Sequence, residues 1–420
     1  SRLADDAVYR LYKLSLSRKD TAQSDKYYQI LKHLKTGDMK SELAFELAYE
    51  QFKKKNFDKS ASVLSEALDT IPTADESYTK TLYWYARSLE KTTGRKNHDK
   101  AQSTYHRLIT EFPYSFYAVL ASHRVNSPIT LPQRPIIIGE APTENTTTFE
   151  LIDAFNKKGF HQAARIVLDF ALHEHPQWLL SHKEYLTLKL IESQNYRKAL
   201  ALASDHFKSG PYGPLTITDD PLFTAFYPLP FKSKTKIAYA KTNLPKGAIE
   251  GIMREESLFQ RTVSSHAGAI GLMQLMPQTA AQVQKGLIEK GAPTTDFSSD
   301  LTDTKTNILL GATYLDQMIT KFKNHLPLAI MAYNAGPGNV RKWLQRLGPL
   351  ELDEFIENIP YTETQGYVKR VLRSMHVYGD LYNNTYFTKG EDINFTLPVI
   401  KPSPKKHKHH KVNKKKGKKQ

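Results

Sequence analysis

Four times in the first 207 residues a helix-length apolar stretch runs into a short polar turn and is followed by a second such stretch. In residues 42–68 the apolar positions Leu43, Phe45, Leu47, Ala48 and Phe52 are followed by Lys-Lys-Lys-Asn at 53–56, then Phe57, Ala61, Leu64 and Leu68. Residues 82–109 repeat the layout around Gly94, residues 151–172 around Lys158–Gly159, and residues 185–207 around Gln194–Asn195. One helical pair of this kind cannot bury its own apolar face, so neighbouring pairs must stack. The spacing is too loose for a fixed period, but the arrangement predicts a mostly all-α chain that opens with a superhelical array. Such an array can be a concave binding surface or a scaffold that positions something else. Two Pro-rich breaks interrupt it, at 126–148 and 210–236. They divide the chain into a helical superhelix at 1–125, a connector and second helical subdomain at 126–240, a third domain at 241–388 and an extension with a tail at 389–420.

The formal net charge of +16 invites a nucleic-acid reading, but its distribution removes most of that argument. Residues 401–420 hold ten Lys and no acid, residues 241–400 hold 16 basic and 16 acidic side chains, and residues 1–240 hold 33 and 27. The charge is therefore mainly a tail that cannot bury apolar surface and is expected to be disordered. It reads as a solubilising segment, as a patch attracted to an anionic polymer, or as an adventitious metal cluster at His407, His409 and His410. No nucleic-acid partner is expected. No run approaches the roughly 18 apolar residues of a membrane-spanning helix. With no Cys, disulfides, thiolate metal sites and Cys nucleophiles are all excluded. The chain starts at Ser1 without an apolar leader, so a signal peptide is expected to be absent or removed.

The chemistry concentrates after residue 240. Ile249, Ile252, Met253 and Glu256 fall at i, i+3, i+4 and i+7, which puts a carboxylate on an apolar helix stripe. Desolvation raises the pKa of such a group, and a carboxylic acid still protonated near neutrality can act as a general acid. A structural Glu bonded to buried partners is the alternative. On the same helix Glu255 is expected to be solvated, and Glu250 and Arg254 to face away from the stripe. Gln274 interrupts the hydrophobic run Gly-Leu-Met-Gln-Leu-Met-Pro at 271–277, so its amide is either satisfied internally or aimed at a ligand. Leu326, Ala329, Ile330 and Tyr333 repeat the helical stripe; this buries the Tyr333 phenol, for which Glu256 is a candidate partner. Thr362 and Gln365 have the spacing of a capping box. That places Glu363 in a first helical turn, where the macrodipole favours negative charge. Two carboxylates biased in opposite directions are what acid–base enzymes use.

Taken together, Arg-Glu-Glu-Ser at 254–257, the 271–277 run, Ala-Tyr-Asn-Ala-Gly at 332–336 and Ile-Pro-Tyr-Thr-Glu-Thr-Gln-Gly-Tyr-Val at 359–368 resemble the catalytic domain of soluble lytic transglycosylases, lysozyme-like enzymes of the bacterial cell wall. The four motifs fall in the family's order over roughly 120 residues, and the helical first half is similar to the family's N-terminal superhelix. The resemblance implies a lysozyme-like α (α+β) third domain. It implies Glu256 as the catalytic residue, supported by Tyr333 bonding to it and by an ionised Glu363. Ser265, Gln274, Met276 and Asn334 would contact the glycan; His266 has no assigned part. The implied reaction cleaves the β-1,4 bond between N-acetylmuramic acid and N-acetylglucosamine without water, leaving a 1,6-anhydro end. One Glu would serve as acid and then base, with no metal or organic cofactor. The alternatives are a hydrolase of the same bond and a helical-repeat cell-wall scaffold with an inactive domain. The implied place is the periplasm or bacterial envelope, and the implied partner is the peptidoglycan strand. Other cell-wall proteins on the helical array and an anionic envelope polymer on the tail are further expected partners.

Overall fold

A computed structural model describes residues 2–33, 38–73, 75–129, 139–207, 222–383 and 393–398. Among them the chain is helical throughout, without a sheet; only isolated bridges occur, joining Ser264 to Ile270, Ile270 to Leu275 and Glu351 to Thr396. The first array is α1 (Arg2–Ser17), α2 (Thr21–His33), α3 (Asp38–Lys53), α4 (Phe57–Leu68), α5 (Glu76–Lys91), α6 (Arg95–Glu111) and α7 (Phe116–Val125). A second group holds α8 (Thr146–Lys157), α9 (His161–Glu174), α10 (Trp178–Ser181), α11 (Lys183–Glu192) and α12 (Tyr196–Phe207). All four expected helical pairs are present, with their turns where the polar residues stand.

The element boundaries follow local chemistry. Asp75 caps α5 by accepting from the Ser77 amide, and Ser115 caps α7 by accepting from the Ala118 amide. Gly94, at φ +105°, makes the turn into α6 that a side chain would strain. Helix α5 is buried on almost every side, and its Trp84 meets Tyr49 and Phe52 edge-on at 4.8 and 5.2 Å.

The Pro-rich break at 210–236 is not wholly irregular. Residues 208–221 lie outside the described residues, but α13 (Leu222–Phe226) and the start of α14 (Lys232–Ala240) fall within the break. Helix α14 precedes the boundary expected at residue 241, yet it packs on α17 and draws that unit back toward Lys232. The remaining helices are α15 (Ala248–Ser257), α16 (Pro277–Glu289), α17 (Thr304–Lys321), α18 (Leu326–Ala335), α19 (Pro337–Leu347), α20 (Leu352–Glu357) and α21 (Thr362–Asn383). The Lys-rich tail at 401–420, expected to be disordered, lies outside the described residues.

Two buried ionic joints fasten this unit to the first array. Arg87 of α5 is fully buried and donates from Nε to Asp353 of α20 at 2.7 Å. Tyr83 and Arg124 donate to the same carboxylate at 2.7 and 2.9 Å. Burial works against that charge, but Arg87 and Arg124 prevail and hold Asp353 below the usual carboxylate range. The second joint pairs Lys369 of α21 with Glu357 at 2.8 Å, and Tyr117 of α7 donates to Glu357 at 2.9 Å. Beside it Arg373 donates to the Tyr114 carbonyl at 2.6 Å, and His376 lies 3.1 Å from the Pro113 carbonyl.

Removing one partner of a buried pair leaves the other charge stranded, so Asp353→Ala should cost on the order of 3 kcal/mol in denaturant unfolding. No change in midpoint would mean that the joint carries no stability. Burial also pushes His123, His325 and His376 down to about 4, against an unfolded value near 6.5. The unfolded chain therefore binds more protons between those values, so stability is complete above about pH 6.5 and declines as pH falls toward 4. Thermal melts across that window test this; a flat melting temperature would contradict it.

Candidate active site

Helix α15 is apolar on its expected stripe, with Ile249, Ile252 and Met253 all fully buried. The faces expected to point elsewhere are buried as well. Glu250 accepts from the Tyr239 hydroxyl at 2.5 Å. Arg254 donates to the Phe226 carbonyl at 2.6 Å and lies 4.4 Å from the ring centres of Phe226 and Tyr227. Gly251 lets α15 approach α21 closely, since a Cβ there would meet Met375 Cγ at 2.9 Å and the Met375 amide nitrogen at 3.2 Å.

Glu256 sits in the last turn of this helix, partly buried. Desolvation pushes its carboxyl up to about 7; the Tyr367 hydrogen bond and Arg370 oppose the rise, while Glu255 and Glu363 add to it. Burial thus outweighs the hydrogen bond, and near neutrality the group is divided between acid and carboxylate. The hydroxyl that reaches it is Tyr367, donating to Oε1 at 2.6 Å. The expectation that Tyr333 would do so is corrected: Tyr333 donates to the Met273 carbonyl at 2.8 Å, although its ring is close enough to feel the Glu256 charge. Tyr367 follows Glu363 by four residues on α21, so the two share a helix face. That i, i+4 spacing to an already suspected carboxylate is the signal that sequence reasoning missed.

Glu255 is a second correction. Rather than being solvated, it accepts from Arg370 Nε at 2.9 Å and from Ser374 Oγ at 3.0 Å. Glu363 does stand in the first turn of α21 and is exposed, but the capping box does not close. Gln365 instead donates to the Ile356 carbonyl at 3.0 Å and to Glu357 at 3.2 Å.

The loop after α15 is conformationally strained. Leu258 and Phe259 take consecutive left-handed conformations at φ +47° and +61°, and Gln274 does so at +45°. Each costs about 1 kcal/mol or more in a residue with a side chain, a cost that persists only where packing enforces the conformation. The packing is identifiable. Asn307, fully buried, accepts from the Met273 amide at 2.8 Å and donates to the carbonyls of Ile270 and Leu301 at 2.9 and 2.8 Å. Ser257 donates to the Leu272 carbonyl at 2.8 Å and ties this loop to the helix of Glu256. Gly271, at φ +83°, permits it: a Cβ there would stand 2.4 Å from Asn307 Nδ2.

The other expected residues surround this loop. The amide of Gln274 donates to Val263 and Gly271 carbonyls at 3.1 and 2.9 Å, so its nitrogen is satisfied internally. Ser265 is exposed, and its hydroxyl accepts from the Ala269 amide at 3.0 Å. Met276 is 43% exposed, just ahead of Pro277 at the start of α16. Asn334, at the end of α18, accepts from Thr364 at 2.6 Å and thereby joins α18 to the turn that carries Glu363. His266 is exposed and has no contact that assigns it a part.

Residues 234–356 match the family described as the Transglycosylase SLT domain. The chain is 38% identical over 147 residues to the soluble lytic murein transglycosylase of Escherichia coli strain K12, covering 35% of this chain and 22% of that protein. It thus spans only about a fifth of that relative's length. Among solved structures it is similar to an inactive mutant of lytic transglycosylase Slt from Pseudomonas aeruginosa, with TM-score 0.58 and 27% identity, covering 83% of this chain and 52% of that one. The fold alone is also similar to a 70-kDa soluble lytic transglycosylase in complex with bulgecin A, with TM-score 0.59 and 22% identity over 92% of this chain and 57% of that one.

Because the Tyr367 hydrogen bond favours the charged form of Glu256, Tyr367→Phe should raise its pKa further. The basic limb of a pH–rate profile would then move to higher pH, and an unmoved or lowered limb would contradict the assignment. Residues 234–356 thus match the Transglycosylase SLT domain family, within a helical frame similar to that of lytic transglycosylase Slt from Pseudomonas aeruginosa.

Proposed function

We propose that this chain is a lytic transglycosylase of murein, cleaving the β-1,4 bond between N-acetylmuramic acid and N-acetylglucosamine without adding water. The observation that carries the reading is Glu256, a partly buried carboxyl poised near neutrality beside Tyr367 within an SLT domain.

In the first step Glu256 donates its proton to the bridging oxygen as the glycosidic bond breaks. The substrate's 2-acetamido carbonyl assists at the anomeric carbon. Glu256, now a carboxylate that accepts from Tyr367, removes the proton from the muramic acid 6-hydroxyl. The 6-oxygen closes on C1, a 1,6-anhydro end forms and Glu256 regains its proton. A carboxyl with pKa near 7 suits both halves of this cycle, because the proton moves in either direction at little cost.

The single-carboxylate scheme is supported by the fate of the neighbours. Glu255 is held by Arg370 and Ser374, and Glu363 is exposed at the start of α21. Neither is positioned as a second buried acid of the usual two-carboxylate glycosidase. Glu363 acts on this reading through its charge. Tyr333 acts by fixing the Met273 backbone beside Gln274, and the exposed Ser265, Met276 and nearby Asn334 offer the glycan its contacts. A murein substrate places the reaction in the bacterial envelope. Among the described residues no helix is long and apolar enough to cross a membrane. Attraction of the Lys-rich tail for an anionic envelope polymer rests on charge alone.

Mass analysis of digested murein tests the reading. Anhydro ends weigh about 18 Da less than hydrolysed ends, a difference set by the water that hydrolysis adds. Anhydro products are expected, and Glu256→Gln should reduce their release at least ~10²-fold while leaving the helical content unchanged. Hydrolysed ends would overturn the transglycosylase assignment. An active Glu256→Gln variant would overturn the choice of acid.

A further inference from the structure

The acid is flanked on α15 by two residues that are each anchored elsewhere. Ser257 donates to the Leu272 carbonyl at 2.8 Å and holds the turn to the following loop. Glu255 is held to α21 by both of its oxygens, one accepting from Arg370 Nε at 2.9 Å and the other from Ser374 Oγ at 3.0 Å. Glu363, Tyr367, Arg370 and Ser374 fall at i, i+4, i+7 and i+11, a single stripe of α21. One stripe thus grips two consecutive carboxylates, with Tyr367 taking Glu256 and the next two turns taking Glu255. A one-turn slip of α21 would bring Glu363 or Arg370 to the acid in place of Tyr367, and would break both Glu255 contacts.

Gly366 gives the guanidinium its place. It lies inside α21, where glycine is unfavourable relative to alanine, and a Cβ there would stand 2.8 Å from Arg370 Nη1. Arg370 therefore lies back along its own helix, over the turn that carries Tyr367. It also borders a cavity of about 230 Å³ lined by the charged groups Glu42, Glu76, Lys80 and Lys369. Lys80 is paired there with Glu42 at 3.0 Å, and Lys369 with Glu357 at 2.8 Å.

The two partners act on the acid with opposite signs. Glu255 favours the neutral form of Glu256 and Arg370 the charged form. Tyr367 and Glu363 on α21 also act on Glu256, and Tyr333 on α18 is close enough to feel its charge. Electrostatically, a paired carboxylate and guanidinium leave the acid nearly where two neutral side chains would. They differ from neutral side chains in direction, because the planar guanidinium meets a carboxylate in few geometries. The pair can therefore fix the helices without deciding the charge of Glu256.

We propose that Glu255, Arg370 and Ser374 are positioning residues for Glu256: they lock α15 and α21 in the register that presents Tyr367 to the acid, and their opposite charges offset each other there. That they serve a reaction rests on the murein reading given above; the lock and the charge balance do not. The first test is a carbon-13 carboxyl titration of the full chain, read at Glu256. Glu255→Gln should lower its midpoint by about one unit and Arg370→Gln should raise it by about one unit, as expected for one neighbouring charge lost. The Glu255→Gln/Arg370→Gln double variant should return close to the unaltered protein. A pair that only packed would admit water when either member is changed, and both midpoints would fall. That result, or two unmoved midpoints, would overturn the proposal. If Arg370→Gln does not fold, the double variant, which strands no charge, decides in its place. It should restore the midpoint that Glu255→Gln lowers, and a further fall would overturn the charge balance. The second test is kcat on murein strands across pH. The basic limb should follow the two single variants in the same opposite directions. In the double variant the limb should stay in place while kcat drops about tenfold, since a small misplacement of reacting groups slows chemistry. An undiminished kcat would overturn the lock. If the midpoints move but the limbs do not, Glu256 is not the rate-governing acid and the charge balance stands. If the unaltered protein cleaves no strand, the murein reading fails and the titration still decides the charge balance.

Discussion

Helix α21 is the constraint on which the site depends. It packs on α15, α18 and α7, and so touches the helix of the acid, the helix of Tyr333 and the first array at once. Its buried Lys369–Glu357 pair fixes it to Tyr117 of that array, and its Arg370 occupies Glu255. With those contacts made, Tyr367 has one position, against Glu256. An ion pair this deeply buried is poor evidence for stability, because desolvation offsets most of its attraction. Its value is geometric: a one-turn slip of α21 would strand Lys369 and Arg370 together. The helical array therefore acts on the chemistry by holding α21.

The electrostatics of the site come from a contest that burial wins. Tyr367 and Arg370 favour the charged form of Glu256, and desolvation with two neighbouring carboxylates favours the neutral form. Moving α21 away would admit water and return the carboxyl toward its ordinary range. The other half of the site is held by backbone chemistry. Asn307, Ser257 and Tyr333 each bond to the 270–273 segment, which keeps the left-handed Gln274 in place. None of these three needs to touch a substrate to matter.

Much of the fold was legible in the sequence because each helical pair has a complete local signal: an apolar stripe, a polar turn and a second stripe. Glu256 was legible for the same reason, as a charge on an apolar stripe. What could not be read was long-range pairing. Tyr333 and Tyr367 both lie on buried stripes of their helices, and only the crossing of α15 with α21 decides which hydroxyl meets the acid. Glu255 looked solvated because Arg370 and Ser374, its partners, lie more than a hundred residues away. Asn307 carries no local signal, since a buried Asn in the first turn of a helix is marked only by the loop it binds.

The central claim is that packing against α21 holds the Glu256 carboxyl near neutrality. Its most direct test is a carbon-13 NMR titration of the Glu side-chain carboxyls, with Glu256 assigned by its absence in Glu256→Gln. A midpoint near pH 7 is expected for that resonance. A midpoint near about 4.3, the ordinary value of an unperturbed Glu, would contradict it.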